Sequence, residues 1–325
     1  MTLIDNADAP GKLFPSDTGN INAVEPSPQA SNSRPFGSRR LRDGHTVQFQ
    51  WFYTIVFVIL HLLAALAIMP IFFRWSAVAV FLAMCWVTGA WGVTLCYHRL
   101  LTHRSFATYK WVEYLLTFFA CLSWQGGPLK WVGTHRLHHA QSDMPGDPHS
   151  PRDGFCWSHV FWILHSSRPN EDPMALTKDL QKDPVMLFYD RFWYVPQFVA
   201  AGVLFALGWL LAGGMMAGFA WVLWGICLRT VLMYHATWFV NSAAHTWGYR
   251  NFDTRDDSRN NWWVALMSFG EGWHNNHHAQ QRSAAHGMRW FEFDITYWTI
   301  LLMQFIGLAW KVVSPKRPEA KLAAP

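Results

Sequence analysis

Four stretches of the chain stay apolar for about twenty residues, at 51–73, 75–97, 192–211 and 215–239. A helix needs about 20 apolar residues to cross the hydrocarbon core of a bilayer, so each stretch predicts a spanning helix. The first two are parted by little more than Arg74 and the last two by AGGM at 212–215, which predicts two helical hairpins. Two shorter apolar segments, 111–123 and 154–164, cannot span and read as interfacial or re-entrant helices. Polar sequence lies chiefly at 98–190 and again after the fourth run, from NSAAH at 241–245 to HNNHH at 274–278. The ends are polar too: residues 1–32 are rich in Pro, Ser, Asn and Asp, without an apolar h-region, and the chain closes on SPKRPEAKLAAP. The resulting division is a disordered polar and basic tail at 1–45, one membrane domain at 46–312 and a polar tail at 313–325.

Charge gives the spans a direction. SRPFGSRRLRDGH at 33–45 immediately precedes the first apolar run, and such a basic cluster marks the cytoplasmic side. A nucleic-acid-binding arm does not suit a cluster leading into a spanning helix, so no nucleic acid is expected. Counting spans from there returns the chain to the cytoplasm at residue 98 and again near residue 240. Both polar segments therefore share one face, and both termini lie on it. Without a transit-peptide pattern, the expected location is a bacterial cytoplasmic membrane. The fold class is an all-α integral membrane protein, four helices in two hairpins beneath a cytoplasmic helical cap.

Composition agrees: 51% of residues are hydrophobic and only 14% charged, against about 25% in an average soluble chain. The cysteines, Cys85, Cys96, Cys121, Cys156 and Cys227, form no CxxC pair and read as small hydrophobes.

The cytoplasmic segments concentrate histidine. HRLHH places His135, His138 and His139 at i, i+3, i+4, one face of a helix, and HNNHH repeats that spacing with His274, His277 and His278. HRLLTH supplies His98 and His103, five apart, which converge only where a helix bends or ends. NSAAH adds His245. Neutral imidazole is the commonest side-chain metal ligand, and nine exceed the capacity of one ion, so two metals are implied. Spacing alone leaves Fe, Zn, Cu and Ni open. Asp147, in DPH, is placed to accept from an imidazole and fix its tautomer. The remaining histidines, His45, His61, His149, His159, His165, His235 and His286, read as packed or hydrogen-bonded residues. Arg229, inside the fourth apolar run, marks either an intramembrane functional charge or a locally paired one.

HRLLTHRSF, HRLHH with DPHSPRDGFCWSH, NSAAHTWG and GEGWHNNHHA together resemble the membrane fatty-acyl desaturases, in particular the Δ9 stearoyl-CoA and the bacterial and cyanobacterial acyl types. The resemblance covers roughly 46–312. It implies two iron ions as cofactor and O2 as co-substrate, with His98, His103, His135, His138, His139, His245, His274, His277 and His278 as ligands and Asn241 reaching one iron through water. It also implies an acyl tunnel bent past the metals, lined by Gln125, Trp131 and Thr237 with Trp238 beside it. No acid or base apart from the metal centre is implied. The reaction would place a cis double bond in a saturated acyl chain, carried as acyl-CoA or acyl-lipid. Electrons would come from a separate ferredoxin or cytochrome b5-type donor with its reductase.

The chain departs from the resemblance at AQQRSAAHGM (279–288), expected to alter the surface where head group or donor docks. Lys130, Arg136, Arg152 and Arg282 are candidates for that surface. Two other functions remain open: a di-iron membrane hydroxylase or ketolase, and a metal-binding membrane transporter or sensor.

Overall fold

The computed structural model describes residues 37–166 and 172–316. Residues 1–36 and 317–325 of the expected tails lie outside that range.

The basic stretch expected to be tail is folded. Strand β1 (Ser38–Arg40) pairs antiparallel with β2 (Thr46–Gln48). Leu41 and Val47 are buried against Trp157, the Arg39 guanidinium lies 5.2 Å over that indole, and Arg42 donates to the Asp143 carbonyl at 3.0 Å. The arginines that carry the orientation signal therefore also hold the 143–157 loop.

Helix α1 (Trp51–Ala67) is shorter than the apolar run that predicts it. Pro70 ends it: proline lacks an N–H and drives the residue before it out of the helical region, and Met69 is extended at φ −66°, ψ 138°. Helix α2 (Trp75–Thr102) runs past the predicted end at 97. It is α-helical to Cys85 and π-wound from Trp86 to Thr102. After β3 (Ala107–Thr108), α3 (Lys110–Cys121) takes the place of the first predicted interfacial helix and lays Val112, Leu116 and Ala120 into the main core. The second, 154–164, is reduced to one π turn, Trp157–Phe161.

Helix α4 (Pro128–Gln141) starts where its sequence permits, with proline in the first turn, whose N–H is dispensable. Its free N-terminal N–H groups are met from outside: Asp190 accepts from Leu129 N at 2.9 Å and Lys130 N at 3.2 Å. Helix α5 (Pro184–Arg191) bends by 68° into α6 (Val195–Leu211). Helix α7 (Met215–His245) overruns its predicted end at 239 by six residues and so includes Asn241 and His245. Three short helices follow, α8 (Trp262–Met267), α9 (His274–Ala279) and α10 (Ile295–Phe305). Strand β4 (Ala309–Trp310) then returns to pair with β3.

Among the described residues, α2 and α7 are long and apolar enough to cross a membrane, and α5 with α6 qualifies if the bent pair counts as one span. Two of the four predicted spans are thus of full length, and α1 and α6 are 17 residues each. Helix α1 buries only Leu60, Ala64 and Ala67, and α6 only Pro196, Gln197 and Gly208. Many of their other apolar side chains, among them Ile55, Ile59, Leu62 and Leu66 of α1 and Val199, Val203, Leu210 and Leu211 of α6, are exposed, the reverse of a water-facing surface helix.

Arg229 is fully buried in α7 and its partners are all local. It donates to Gly225 O at 3.1 Å, Leu122 O at 2.8 Å and Gln197 Oε1 at 2.8 Å. It ties α7 to α6 and to the end of α3, the locally paired alternative.

Candidate metal centre

The nine histidines named from sequence gather in two adjoining groups. His98, His103, His135, His139 and His277 form one, and His138, His245, His274 and His278 the other; within each group one ring nitrogen per residue lies within 4.8 Å of every other.

Helical winding explains the grouping. In α4 the neighbours His138 and His139 point to different groups, while His135 and His139, one turn apart, share one, with Nε2 atoms 3.0 Å apart. In α9 His274 and His278 share the other, with Nε2 atoms 3.0 Å apart, and His277 crosses to the first. The pair five apart is solved by the π-winding of α2: an i→i+5 turn superposes His98 and His103. His103 N donates to His98 O at 3.1 Å and the rings lie 4.8 Å apart.

These spacings suit a cation. His98 and His277 Nε2 are 3.1 Å apart, and His277 and His139 Nε2 2.9 Å. Donors about 2.1 Å from one ion stand about 3 Å apart along the edge of an octahedron. A neutral imidazole has one N–H, so His277 Nε2 cannot bond both neighbours. Among the described residues His103 Nε2 and His245 Nε2 are buried without a hydrogen-bond partner, a costly arrangement unless something else meets those lone pairs. Burial holds His103, His135, His139, His274 and His277 well below the usual histidine range, leaving them in the neutral form that binds metal.

Carboxylates stand behind four of the rings. Asp147 Oδ1 is 3.0 Å from His138 Nδ1, as expected from DPH. Asp143 Oδ2 meets His245 Nδ1 at 2.9 Å, Asp256 Oδ2 meets His278 Nδ1 at 2.8 Å, and Glu271 Oε2 meets His98 Nδ1 at 2.5 Å. Burial opposes the ionised carboxyls, yet the paired imidazoles hold Asp143 down to about 2 and Asp147 and Asp256 lower still. At His138 burial works against the proton, and the charge and hydrogen bond of Asp147 outweigh it, so the value rises. Asp143, Asp256 and Glu271 escaped sequence reading. Asp143 lies four residues from Asp147 and Glu271 sits inside GEGWH, both weak local signals; Asp256 comes from a separate loop and gives none.

His286 and His149, read as packing residues, border the centre. The His286 ring lies 4.4 Å from that of His277, with Nδ1 3.2 Å from Glu271 Oε2. His149 lies 4.3 Å from His138. The departing segment 279–288 turns inward in part: Ser283, Ala284, Ala285 and His286 are buried, while Gln281 and Arg282 stay exposed. Of the basic candidates, Arg136 is paired with Asp179 at 2.7 Å and Arg152 with Asp257 at 2.6 Å. Lys130 and Arg282 are exposed.

A cavity of about 820 Å³ reaches the first histidine group at His135 and is lined by Gln125, Trp131, Thr237, Trp238 and Asn241, with α1 and α6 residues also on its wall. A smaller one of about 50 Å³ lies beyond, sharing Trp131, His135, Thr237 and Asn241 and reaching His98 and His274. Three wall residues form a chain of hydrogen bonds: Trp131 Nε1 donates to Gln125 Oε1 at 3.2 Å, Gln125 Nε2 donates to Thr237 Oγ1 at 3.0 Å, and Thr237 donates to Met233 O at 2.9 Å. Trp238 stacks on Tyr234 at 5.0 Å. The structure thus brings all four expected wall residues to the larger cavity, beside the ring of His135.

Residues 73–303 match the family described as fatty acid desaturase. The chain is 48% identical over 265 residues to an sn-1 stearoyl-lipid 9-desaturase of Anabaena variabilis, covering 82% of this chain and 94% of the relative. It is 43% identical over 283 residues to an sn-2 palmitoyl-lipid 9-desaturase of Nostoc sp. (strain 36), covering 86% and 95%. An acyl-CoA 5-desaturase of Anemone leveillei is 41% identical over 266 residues, covering 81% of this chain and 79% of the relative.

Proposed function

Because this chain belongs to the fatty acid desaturase family and is an acyl desaturase, we propose that it inserts a cis double bond at the ninth carbon of an acyl chain esterified in a membrane glycerolipid, drawing on O2 and two electrons. The observation that carries this reading is the placement of an apolar cavity directly against the ring of His135 in the five-histidine group.

The two groups suit two iron ions, held by His98, His103, His135, His139 and His277 in one and by His138, His245, His274 and His278 in the other. Asn241, on both cavity walls, would reach its ion through water. Bound there, the iron pair would supply the oxidising power to take hydrogen from an unactivated methylene, which no protein side chain provides. The protein's share is position. Adjacent methylenes are chemically alike, so the carbons attacked are those the wall presents. Gln125, Trp131 and Thr237, cross-linked by hydrogen bonds, make that wall rigid, and Trp238 backs it. Their polar atoms bond one another and the Met233 carbonyl, which leaves the acyl chain a mainly apolar surface there.

A glycerolipid is the carrier on two grounds. The cyanobacterial relatives above are named as acyl-lipid enzymes. Among the described residues lining the larger cavity, Lys130 is the only lysine or arginine, a sparse match for the several phosphate charges of CoA. Outward apolar residues on α1 and α6, with the full-length α2 and α7, support four spans, and the basic run at 33–45 before the first of them supports a cytoplasmic metal centre with both termini on that side, in a bacterial cytoplasmic membrane. Electrons would come from a separate ferredoxin or cytochrome b5-type protein.

Expression in a host lacking its own desaturase tests the reading. Lipid extraction should give a cis-9 monoene in glycerolipids before any appears in the acyl-CoA pool. A hydroxy- or keto-acyl product would overturn desaturation, and a monoene appearing first in acyl-CoA would overturn the carrier.

A further inference from the structure

The two histidine groups differ in what stands behind them. In the four-histidine pocket, three rings are backed by buried aspartates: His138 by Asp147 at 3.0 Å, His245 by Asp143 at 2.9 Å and His278 by Asp256 at 2.8 Å. Each aspartate is itself held in place. Asp143 accepts from Asp257 N at 2.8 Å and Ser150 Oγ at 3.1 Å, Asp147 from Asp143 N at 2.8 Å, and Asp256 from Thr254 Oγ1 at 2.9 Å.

The five-histidine pocket has one such ring, His98 on Glu271. That carboxylate is shared with the fully buried Arg99, 3.2 Å away, and with His286, also 3.2 Å away. Among the described residues no ion pair joins a carboxylate to His103, His135, His139 or His277. Among the described residues the Nδ1 atoms of His139 and His277 are buried without a hydrogen-bond partner, against one such atom, His274 Nδ1, in the four-histidine pocket.

A carboxylate on the far nitrogen fixes the ring's tautomer and orientation and makes it a more basic ligand. Three fixed negative charges also attract a cation more strongly than one already shared with a guanidinium. A fifth imidazole works the other way. Yet His139 and His277, lacking outer partners, must be ordered by the ion itself.

We infer that the two metal positions are unequal: the four-histidine pocket fills first and binds more tightly, with Asp143, Asp147 and Asp256 as its positioning residues. This rests on the metal-centre reading above.

The test is anaerobic titration of the metal-stripped full chain with Co(II), followed by visible absorption and by metal content after equilibrium dialysis. Two steps are expected. D256N and D147N should each weaken the first by about 10- to 100-fold and spare the second, D147E should recover part of the loss, and E271Q should weaken only the second. Crystals of unaltered protein given less than one equivalent should show anomalous signal at His138, His245, His274 and His278; this arm needs no variant to fold. Two equal steps, first occupancy of the five-histidine pocket, or aspartate variants that weaken only the second step would overturn the inference. Failure of the unaltered chain to bind any metal would instead overturn the metal-centre reading, and this inference with it.

Discussion

At His138 the ring nitrogen not bonded to Asp147 is the one free to face an ion, so removing the ring takes a ligand away without disturbing the cavity wall. His138→Ala should lower bound iron, read by elemental analysis of purified protein, and abolish the unsaturated product; full iron content with normal product would refute the ligand assignment. Thr237→Val tests the wall. It leaves the Gln125 amide without its acceptor at 3.0 Å, costing about 1–3 kcal/mol. Thermal unfolding in detergent should fall accordingly while iron content holds. At this scale the clustering of His135, His138 and His139 and of His274, His277 and His278 was legible because helical spacing writes it into the sequence. The carboxylates of Asp143, Asp256 and Glu271 were not, because what they do depends on loops meeting in space.

At the scale of elements, winding and packing decide whether those side chains converge. The apolar pattern located α2 but not its π-winding, since both windings bury similar residues; only the demand that His98 and His103 meet hinted at it. Helix α4 carries three histidines and is seated by a glycine. A Cβ on Gly133 would stand 2.1 Å from the Pro173 carbonyl oxygen, and the contact is backbone, which cannot swing aside. Gly133→Ala should cost about 1–3 kcal/mol by overpacking and reduce metal retention as α4 shifts. Gly202→Ala, in α6, meets nothing within 4 Å and should be neutral or stabilising by up to about 1 kcal/mol. Equal losses in both would remove this explanation.

A second contact between elements brings pH dependence. Asp179 accepts from Arg136 of α4 at 2.7 Å and from Arg104, just past α2, at 2.9 Å. Burial pulls its carboxyl up, but the two guanidinium groups outweigh this and hold it well below the usual range. Its folded value is thus depressed, so its stabilisation is present above the unfolded value near pH 4 (about 3.9 for a free aspartate) and is lost as pH falls through the folded value. Asp179→Asn should flatten the melting temperature against pH below about 4, leaving the rest of the profile in place. Asp179 is 42% exposed, so the difference should be small and shrink in high salt. An unchanged acid slope would show that the pair does not hold α4 against α2.

For the whole molecule, the sequence carried the order of the apolar helices better than their lengths. Counting four apolar runs from a basic start predicted one face for every histidine segment, and the structure brings the histidines of HRLLTH, HRLHH, NSAAH and HNNHH together in two adjoining groups. It also shortens α1 at Pro70, bends α5 into α6, and folds the 38–48 segment into a hairpin; none of these alters hydropathy enough to be read from it. Sidedness can be tested through cysteine. Cys85, Cys96, Cys121 and Cys227 are buried and Cys156, in the loop between α4 and α5, is exposed, so the native protein should offer one reactive thiol. Ala212 lies in the turn between α6 and α7, at the opposite end of α7 from His245. If the metal centre is cytoplasmic, a membrane-impermeant maleimide added to spheroplasts should label Ala212→Cys at that position and leave Cys156 unlabelled until the membrane is opened. Labelling of Cys156 in sealed spheroplasts would invert the topology. Equal labelling of both sites would mean that α6 does not separate them across a bilayer, and its outward apolar face would then need another cover.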